Sequence, residues 1–149
     1  MGKMNLKKIV WFSAAHLLLN YEGKCSKLHG HNWKVVIKVE GEPDKESGIL
    51  IDFTQLKNIV EELDHKILIP QENNLICFVG DYSIAIDNTT YRFPEKDCVL
   101  LPYKNITAEN LVNYFLKKIL NSNSHIKDME VEVWESETSC AKNSRGRVR

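Results

Sequence analysis

The chain has 149 residues, and its 20 Lys and Arg side chains balance 20 Asp and Glu side chains, so its formal net charge is zero. This balance gives no overall attraction to nucleic-acid phosphates or anionic lipids, and no apolar run approaches the ~18 residues of a membrane-spanning helix. An ordinary hydrophobic content of 43% and the lack of a secretory leader predict one cytoplasmic domain over residues 1–149, with no nucleic-acid or membrane partner.

The four cysteines are expected to be free thiols, because a chain without an export signal seldom carries a disulfide framework. Cys25 lies four residues before a histidine. Cys77, Cys98 and Cys140 show no partner pattern, and we expect them to be inert.

The first two elements are predicted to be strands. Over residues 6–16 the even positions are apolar except for Lys8 and end in His16, and over residues 29–39 the odd positions are apolar or histidine. A period of two is typical of a strand with one buried face. Turn residues then separate these strands from the next element.

Two helices are predicted from apolar residues spaced three and four positions apart. Asp52 caps the first, with Gln55 as its capping-box partner, and the apolar stripe extends as far as Ile67. The second begins at Thr107. Its apolar stripe consists of Leu111, Val112, Phe115 and Ile119.

Residues 129–136 are predicted to form a third strand, and residues 144–149 are equally consistent with a fourth strand and with a frayed terminus. Between the helices, residues 70–104 contain short β-like pieces, which we interpret as one or two inserted hairpins. The pieces are residues 75–79, 82–86, 89–93 and 99–101. The order of elements predicts an α+β fold in which two helices lie on one face of a four-stranded antiparallel sheet.

Three histidines have the spacing of a metal site. His29 and His31 share the apolar face of the second strand, since only Gly30 separates them, and His16 ends the apolar face of the first. If the two strands are neighbours, the three rings converge at one end of the sheet. Three imidazoles with one open position form a common catalytic zinc site. Histidines hydrogen bonded at a strand edge are the alternative.

Cys25 precedes His29 by four residues, and this spacing leaves two roles open. One is a fourth ligand, which would close a structural Cys-His₃ site. The other is a thiol that is held near the metal and acts as a base. The spacing alone does not decide between them.

Two further sites involve carboxylates. Asp64 and His65 are predicted at the end of the first helix, where neighbouring side chains do not face each other. Either the helix ends there or the two side chains have different partners, and a capping or surface pair is the simplest alternative. Glu135 shares the inward parity of the third strand, where a carboxylate must be paired or bind a ligand. Its two oxygens match a planar ligand with two parallel N–H donors.

These residues resemble those of the 6-pyruvoyltetrahydropterin synthase family, which includes the 6-carboxytetrahydropterin synthases of queuosine biosynthesis. The resemblance covers nearly the whole chain and rests on short motifs in the family's order. They are Phe12-Ser-Ala-Ala-His16, Cys25-Ser-Lys-Leu-His29-Gly-His31-Asn-Trp33, Gly48-Ile-Leu-Ile-Asp52-Phe53, Leu63-Asp-His65-Lys66, Thr107-Ala-Glu-Asn110 and Val133-Trp-Glu135. The insertion over residues 70–104 is longer than the usual connection in the family.

The resemblance implies a β-β-α-α-β-β tunnelling fold and a set of site residues. Cys25 would be the catalytic thiol rather than a ligand, and Asp64 and His65 would form an acid–base relay. The implied zinc ligands are His16, His29 and His31, and the implied substrate-binding residues are Glu135, which anchors the pterin ring, Thr107 and Glu109. The family's sites lie between subunits of a hexamer built from two trimers, so the relay would meet the thiol across an interface.

The implied substrate is 7,8-dihydroneopterin triphosphate, whose side-chain hydroxyls zinc would hold. Loss of acetaldehyde and triphosphate gives 6-carboxy-5,6,7,8-tetrahydropterin, whereas elimination of triphosphate with internal redox gives 6-pyruvoyltetrahydropterin. The compact spacing between Cys25 and His29 favours the first product. A zinc- or pterin-binding protein without turnover is an alternative from another class. A generic zinc hydrolase is a third, although no H-E-x-x-H-like arrangement is present.

Overall fold

The computed structural model describes residues 2–78, 80–86 and 88–148. The elements are β1 (Met4–His16), β2 (His29–Gly41), α1 (Phe53–Glu61), β3 (Lys66–Pro70), β4 (Ile76–Cys77), β5 (Tyr82–Ile86), β6 (Thr89–Phe93), β7 (Cys98–Leu101), α2 (Ala108–Ser122), β8 (Asp128–Ser136) and β9 (Ser139–Arg145). Strands β1, β2 and β8 and helix α2 confirm the elements predicted from periodicity, with small shifts at their ends, and α1 confirms the start of the first predicted helix but not its length.

The chain folds into two compact units. The first consists of the segment that ends at Phe12, Asn32–Glu62 and the segment that begins at Ala108. The second consists of Ser13–His31 and Leu63–Thr107. β1 and β2 therefore contribute residues to both units.

The first unit is built on strands with alternating burial. β2 pairs with β8 in antiparallel fashion from Lys34 opposite Trp134 to Glu40 opposite Asp128, and β8 pairs with β9 in the same way. The inward side chains are buried, as the period of two predicts. They include Trp33, Val35, Ile37, Met129, Val131 and Val133. Helix α2 packs against β8 and β9, and α1 packs against α2.

Helix α1 is shorter than its apolar stripe. The Asp52 carboxylate caps the helix by accepting a hydrogen bond, at 2.8 Å, from the amide two residues further on. Gln55, the predicted capping-box partner, accepts a hydrogen bond from the Asn123 side chain at 2.8 Å. The helix ends at Glu61, so the predicted continuation of the stripe to Ile67 is wrong. Within the part of the chain that the structure describes, no helix is long and apolar enough to span a membrane.

The sheet differs from the predicted four-stranded antiparallel one. Six strands are hydrogen bonded in the order β7-β3-β1-β2-β8-β9, and the β1–β3 and β3–β7 pairs are parallel. β3 contains Ile67, whose spacing in the sequence fits the helical stripe of α1. From residue 67 to its end the strand is a continuous apolar run that includes the buried Leu68 and Ile69. A buried parallel strand lacks the alternation that identifies a half-exposed one, which explains the misassignment.

The predicted insertion forms a three-stranded antiparallel sheet in the second unit, in the order β4-β5-β6, hereafter the inserted sheet. This agrees with the predicted hairpins except for the piece at residues 99–101. That piece lies in β7, which pairs with β3 and not with the inserted sheet. The predicted piece 75–79 ends at a residue that lies outside the described residues. The inserted sheet packs onto a hydrophobic core. That core consists of Leu17, Leu19, Ile69, Ile76, Ile84 and Phe93.

The C-terminal strand lies earlier in the chain than predicted, because β9 ends at Arg145 and residue 149 is outside the described residues. The chain then turns at Gly146, whose φ is +70°. The Arg147 amide donates a hydrogen bond to the Asp128 carboxylate at 2.9 Å. A Cβ at position 146 would overlap the Asp128 carboxylate and lie 2.5 Å from the Lys127 carbonyl oxygen. The turn therefore requires glycine for both its backbone conformation and its lack of a side chain.

Gly146→Ala is expected to lower the free energy of unfolding by more than the roughly 1–2 kcal/mol that a left-handed conformation costs an alanine. Gly48→Ala is the matched control, because Gly48 has a φ of +71° and nothing lies within 4 Å of its added Cβ. Denaturant unfolding of both variants separates the steric contribution from the backbone contribution. Equal losses of stability would show that the Asp128 turn accommodates the methyl group.

Candidate functional site

The structure brings the three predicted metal ligands together in the second unit. His16 ends β1 and is 1% exposed, while His29 and His31 lie at the start of β2. The ring centroids are 4.6 Å apart for His16–His29, 5.2 Å for His16–His31 and 4.7 Å for His29–His31. One ligand atom of each ring lies within 4.8 Å of those of the other two. These distances allow one ion to contact all three imidazoles.

Backbone carbonyls orient two of the rings. The His16 Nδ1–H donates to the Ile106 carbonyl at 2.9 Å, and the His29 Nδ1–H donates to the Lys27 carbonyl at 2.6 Å. Because a carbonyl only accepts, each neutral ring carries its proton on Nδ1 and presents the lone pair of Nε2. The Nε2 atoms of His16, His29 and His31 are buried, and that of His29 makes no hydrogen bond within the described residues. Metal-binding histidines typically donate their other ring N–H in this way.

The protonation state of His16 also suits a metal. Burial lowers the pKa of His16 to about 4, so its ring is neutral at pH 7. Metal ions bind the neutral imidazole rather than the imidazolium. Three imidazole nitrogens suit zinc, copper, iron or nickel. The residues therefore fit a transition-metal ion, and the cluster is the candidate metal centre.

Cys25 lies in the same unit, in a short 3-10 helix at Lys24–Ser26, and is half-buried. Its carbonyl accepts a hydrogen bond from the Leu18 amide at 2.8 Å. The Cys25 sulfur is not among the ligand atoms that lie within 4.8 Å of one another in the described chain. This geometry favours a thiol outside the ligand set over a closed Cys-His₃ site.

The Asp64 and His65 side chains contact each other because α1 ends before them, which is the first of the two alternatives that the sequence left open. His65 has a φ of +57°, a left-handed conformation that histidine adopts more often than most residues. Its Nδ1 lies 2.9 Å from Asp64 Oδ2, and its ring is 84% exposed. The Ser13 amide donates to Asp64 Oδ1 at 2.8 Å and holds the pKa of that carboxyl below its usual range. Asp64 is therefore charged at neutral pH and can orient the imidazole.

Glu135 lines a cavity of about 580 Å³ in the first unit. The β8–β9 pairing is irregular between Trp134 and Ser136, so Glu135 lies at a break in the ladder. Such bulges redirect the side chain of the extra residue. Glu135 is half-buried, whereas the predicted inward parity would have given it the full burial of Met129, Val131 and Val133. Its carboxylate faces a space that can admit a small molecule.

The aromatic and cationic side chains that line this cavity were not among the residues predicted from the sequence. The Lys34 ammonium lies 4.6 Å from the centre of the Trp134 ring and 5.7 Å from that of Trp11, within the range of cation–π attraction. All three residues line the cavity. Trp11 is 58% exposed. Large aromatic residues at outward positions of half-exposed strands were the available signal.

The remaining predicted residues have simpler surroundings. Thr107 directly precedes α2 and is half-buried, and Glu109 lies exposed in the first turn, where a carboxylate stabilises the helix N-terminus. Cys77 and Cys140 are exposed free thiols. Burial raises the pKa of the Cys98 thiol to about 11, so it remains protonated at neutral pH. That protonation agrees with the prediction that Cys98 is inert.

Known proteins with similar sequences identify the family. A model of the 6-pyruvoyl tetrahydropterin synthase family matches residues 5–145. A Pyrococcus horikoshii protein, named provisionally as a 6-carboxy-5,6,7,8-tetrahydropterin synthase, is 39% identical over 91% of this chain and 88% of its own. The 6-carboxy-5,6,7,8-tetrahydropterin synthase of Haemophilus influenzae is 26% identical over 86% of this chain and 89% of its own.

Solved structures agree with this match. A 6-pyruvoyltetrahydropterin synthase from Plasmodium vivax, solved as a variant of a catalytic glutamate, has a TM-score of 0.81 at 27% identity, covering 99% of this chain and 100% of that one. The enzyme from Plasmodium falciparum has a TM-score of 0.77 at 29% identity, covering 97% and 99%. Together the comparisons define a lyase of pterin synthesis. The chain belongs to the 6-pyruvoyl tetrahydropterin synthase family.

Proposed function

We propose that the chain is a zinc-dependent lyase of queuosine biosynthesis, acting in the cytoplasm on 7,8-dihydroneopterin triphosphate. With one water consumed, its products would be 6-carboxy-5,6,7,8-tetrahydropterin, acetaldehyde and triphosphate. The observation that carries this proposal is the convergence of three imidazoles whose Nε2 atoms are buried, two of which, His16 and His29, donate their Nδ1–H to backbone carbonyls. The names of the Pyrococcus and Haemophilus relatives support the carboxy product.

The chain's own residues divide the chemistry between binding and proton transfer. Zinc held by the three histidines would polarise the side-chain hydroxyls of the substrate. Cys25, as a thiolate outside the ligand set, removes a proton from that side chain. His65 returns protons through Nε2, because its Nδ1 faces the Asp64 carboxylate. Asp64 remains charged through the Ser13 amide and fixes the tautomer of the ring.

Glu135 anchors the pterin in this proposal. The two oxygens of a carboxylate match the ring N–H and the exocyclic amino group of a pterin. Its position in a cavity large enough for a small ligand supports this role. Thr107 and Glu109 are the other proposed substrate-binding residues, at the start of α2.

A hexamer of two trimers is part of the same proposal. An imidazole that transfers protons must reach its partner within about 3 Å or through one water. The His65 ring is 84% exposed, so it is open to a group from another subunit. In the hexamer, the Asp64–His65 pair of one subunit would act with the Cys25 thiol of its neighbour.

Incubation of the purified enzyme with 7,8-dihydroneopterin triphosphate, followed by mass identification of the product, tests the function. The carboxy product with acetaldehyde supports the proposal. The absence of turnover by the zinc-loaded enzyme would contradict it and favour a binding protein.

The second candidate function is 6-pyruvoyltetrahydropterin synthesis, because the solved structures from Plasmodium that resemble this fold carry that name. It differs in retaining the carbon chain while triphosphate is eliminated. The same incubation distinguishes the two, since only carbon–carbon cleavage releases acetaldehyde.

Glu135→Gln is expected to weaken pterin binding by about 2–4 kcal/mol, the magnitude found when a charged hydrogen bond in a desolvated site is lost. The amide presents a donor where the pterin also presents one. Calorimetric titration with a dihydropterin measures the loss. Glu137→Gln is the matched control, because that carboxylate lines the same cavity but is exposed. If Glu135→Gln binds as tightly as the wild type, the carboxylate serves the fold instead.

A further inference from the structure

The segment between His16 and Cys25 is held by the inserted sheet. Leu17 is 4% exposed and Leu19 is 2% exposed, and both belong to the core beneath that sheet. Leu18, between them, is half-buried, and its amide donates to the Cys25 carbonyl at 2.8 Å. Burial of Leu17 and Leu19 thus fixes the backbone of Leu18, to which the Cys25 turn is hydrogen bonded.

Asn105 holds the same segment from its other side. Its Nδ2 donates to the Leu19 carbonyl at 3.0 Å, and its Oδ1 accepts from the Leu19 amide at 3.1 Å. One side chain therefore satisfies both backbone groups of Leu19, as a neighbouring strand would. Its Oδ1 also accepts from the Ile106 amide at 3.2 Å, and the Ile106 carbonyl is the group that orients His16. Asn105 thus connects the Leu19 backbone with the residue that orients one histidine.

We propose that Asn105 and the core of the inserted sheet are the elements that position Cys25. The proposal rests on the proposed function, in which Cys25 moves the proton. The inserted sheet supplies Ile76, Ile84 and Phe93 to the core that buries the two leucines. The role of the inserted sheet is then to support the turn that contains Cys25. A reacting group displaced by about 1 Å can lose a hundredfold in rate, so such support has a measurable effect.

Asn105→Ala tests the hydrogen-bonded contact, with Asn123→Ala as its matched control. Asn123 is 6% exposed in the first unit and also bonds through its side-chain amide, to Gln55 and to the Ile119 carbonyl. For Asn105→Ala we expect a kcat reduced by about tenfold to a hundredfold, with KM little changed. For Asn123→Ala we expect reduced stability and a kcat near that of the wild type.

Hydrogen exchange measured by mass spectrometry provides a readout that does not depend on activity. In Asn105→Ala, the amides of residues 18 and 19 should exchange roughly tenfold faster than in the wild type, because their hydrogen-bonded partners are loosened or removed. In Asn123→Ala these two amides should exchange at the wild-type rate. If both variants change residues 18 and 19 equally, the proposal is overturned.

Ile84→Ala tests the apolar contact, with Ile119→Ala as its control. Ile84 is 1% exposed under the inserted sheet, and Ile119 is 0% exposed in α2, so each substitution removes the same atoms from a core. Only Ile84→Ala is expected to speed exchange at residues 18 and 19 and to lower kcat. If Ile84→Ala does not fold, Ile84→Val is a smaller change with the same expected direction.

These measurements distinguish the two proposals. If the wild type shows no turnover, the proposed function fails, and the exchange of residues 18 and 19 still tests the contacts. If the wild type is active but Asn105→Ala and Ile84→Ala match their controls in both kcat and exchange, the positioning role fails alone. Asn105→Asp retains the acceptor and loses the donor to Leu19, so it should lie between the wild type and Asn105→Ala.

Discussion

His29→Ala and His31→Ala are each expected to lose bound zinc and catalytic turnover together. Two imidazoles and solvent hold a catalytic ion far less tightly than the three protein ligands usual in such sites. The His29 Nε2 is buried in the cluster, and its removal leaves the ion with two of the three imidazoles. Metal analysis of the purified variants, with activity measured on the same sample, checks this.

His125→Ala is the matched control for the metal experiment. Its Nε2 hydrogen bonds to the Leu50 carbonyl at 2.9 Å, and it is not part of the ligand cluster in the described chain. It should keep the zinc content of the wild type. If His29→Ala or His31→Ala retains stoichiometric zinc, the three-histidine assignment is wrong.

Cys25→Ala is expected to keep its zinc and lose turnover by ~10²–10⁴-fold, the usual cost of removing a general base. The reason is geometric, because the Cys25 sulfur is outside the group of ligand atoms that lie within 4.8 Å. Metal content and single-turnover rates measured together separate ligation from catalysis. Cys140→Ala, at an exposed thiol, should leave both unchanged.

Loss of zinc in Cys25→Ala would support the other role that the sequence left open, a fourth ligand in a structural site. A sulfur scatterer in the metal's X-ray absorption spectrum would support it independently. Retention of full activity would instead remove Cys25 from the mechanism and leave the metal assignment unaffected.

Much of the fold could be predicted where burial alternates. β1, β2 and β8 each have one buried face, and the period of two identified them. The same parity placed His29 and His31 on one face, and the neighbouring positions of β1 and β2 brought His16 beside them. The candidate metal centre was therefore accessible from the sequence because its ligands lie on half-buried strands.

The parallel edge of the sheet could not be predicted in this way. Residues 67–70 are apolar without alternation, and the residues before them continue a helical spacing. A short apolar run of this kind fits a helix and a buried strand equally well. Pairing with β1 and β7 selects the strand, and those contacts join segments that are distant in the sequence.

The geometry of the site depended on backbone details that composition does not reveal. The Asp64–His65 contact requires the left-handed conformation of His65, and Glu135 lies at a break in the β8–β9 ladder. Neither the left-handed residue nor the break in the ladder produces a periodic pattern in the sequence. The contact of Lys34 with two indoles depends on strand register, which the sequence left open.

The strand pairing of the first unit also has a consequence for synthesis on the ribosome. β2 pairs with β8 between residues roughly 100 positions apart, and pairing of such separated segments slows folding. The second unit, with its histidine cluster, uses no residue beyond Thr107. A nascent chain therefore contains every segment of that unit before β8, which carries Glu135, has been translated. Until then, the β2 edge that β8 will cover is a place where chaperones or misfolded partners can bind.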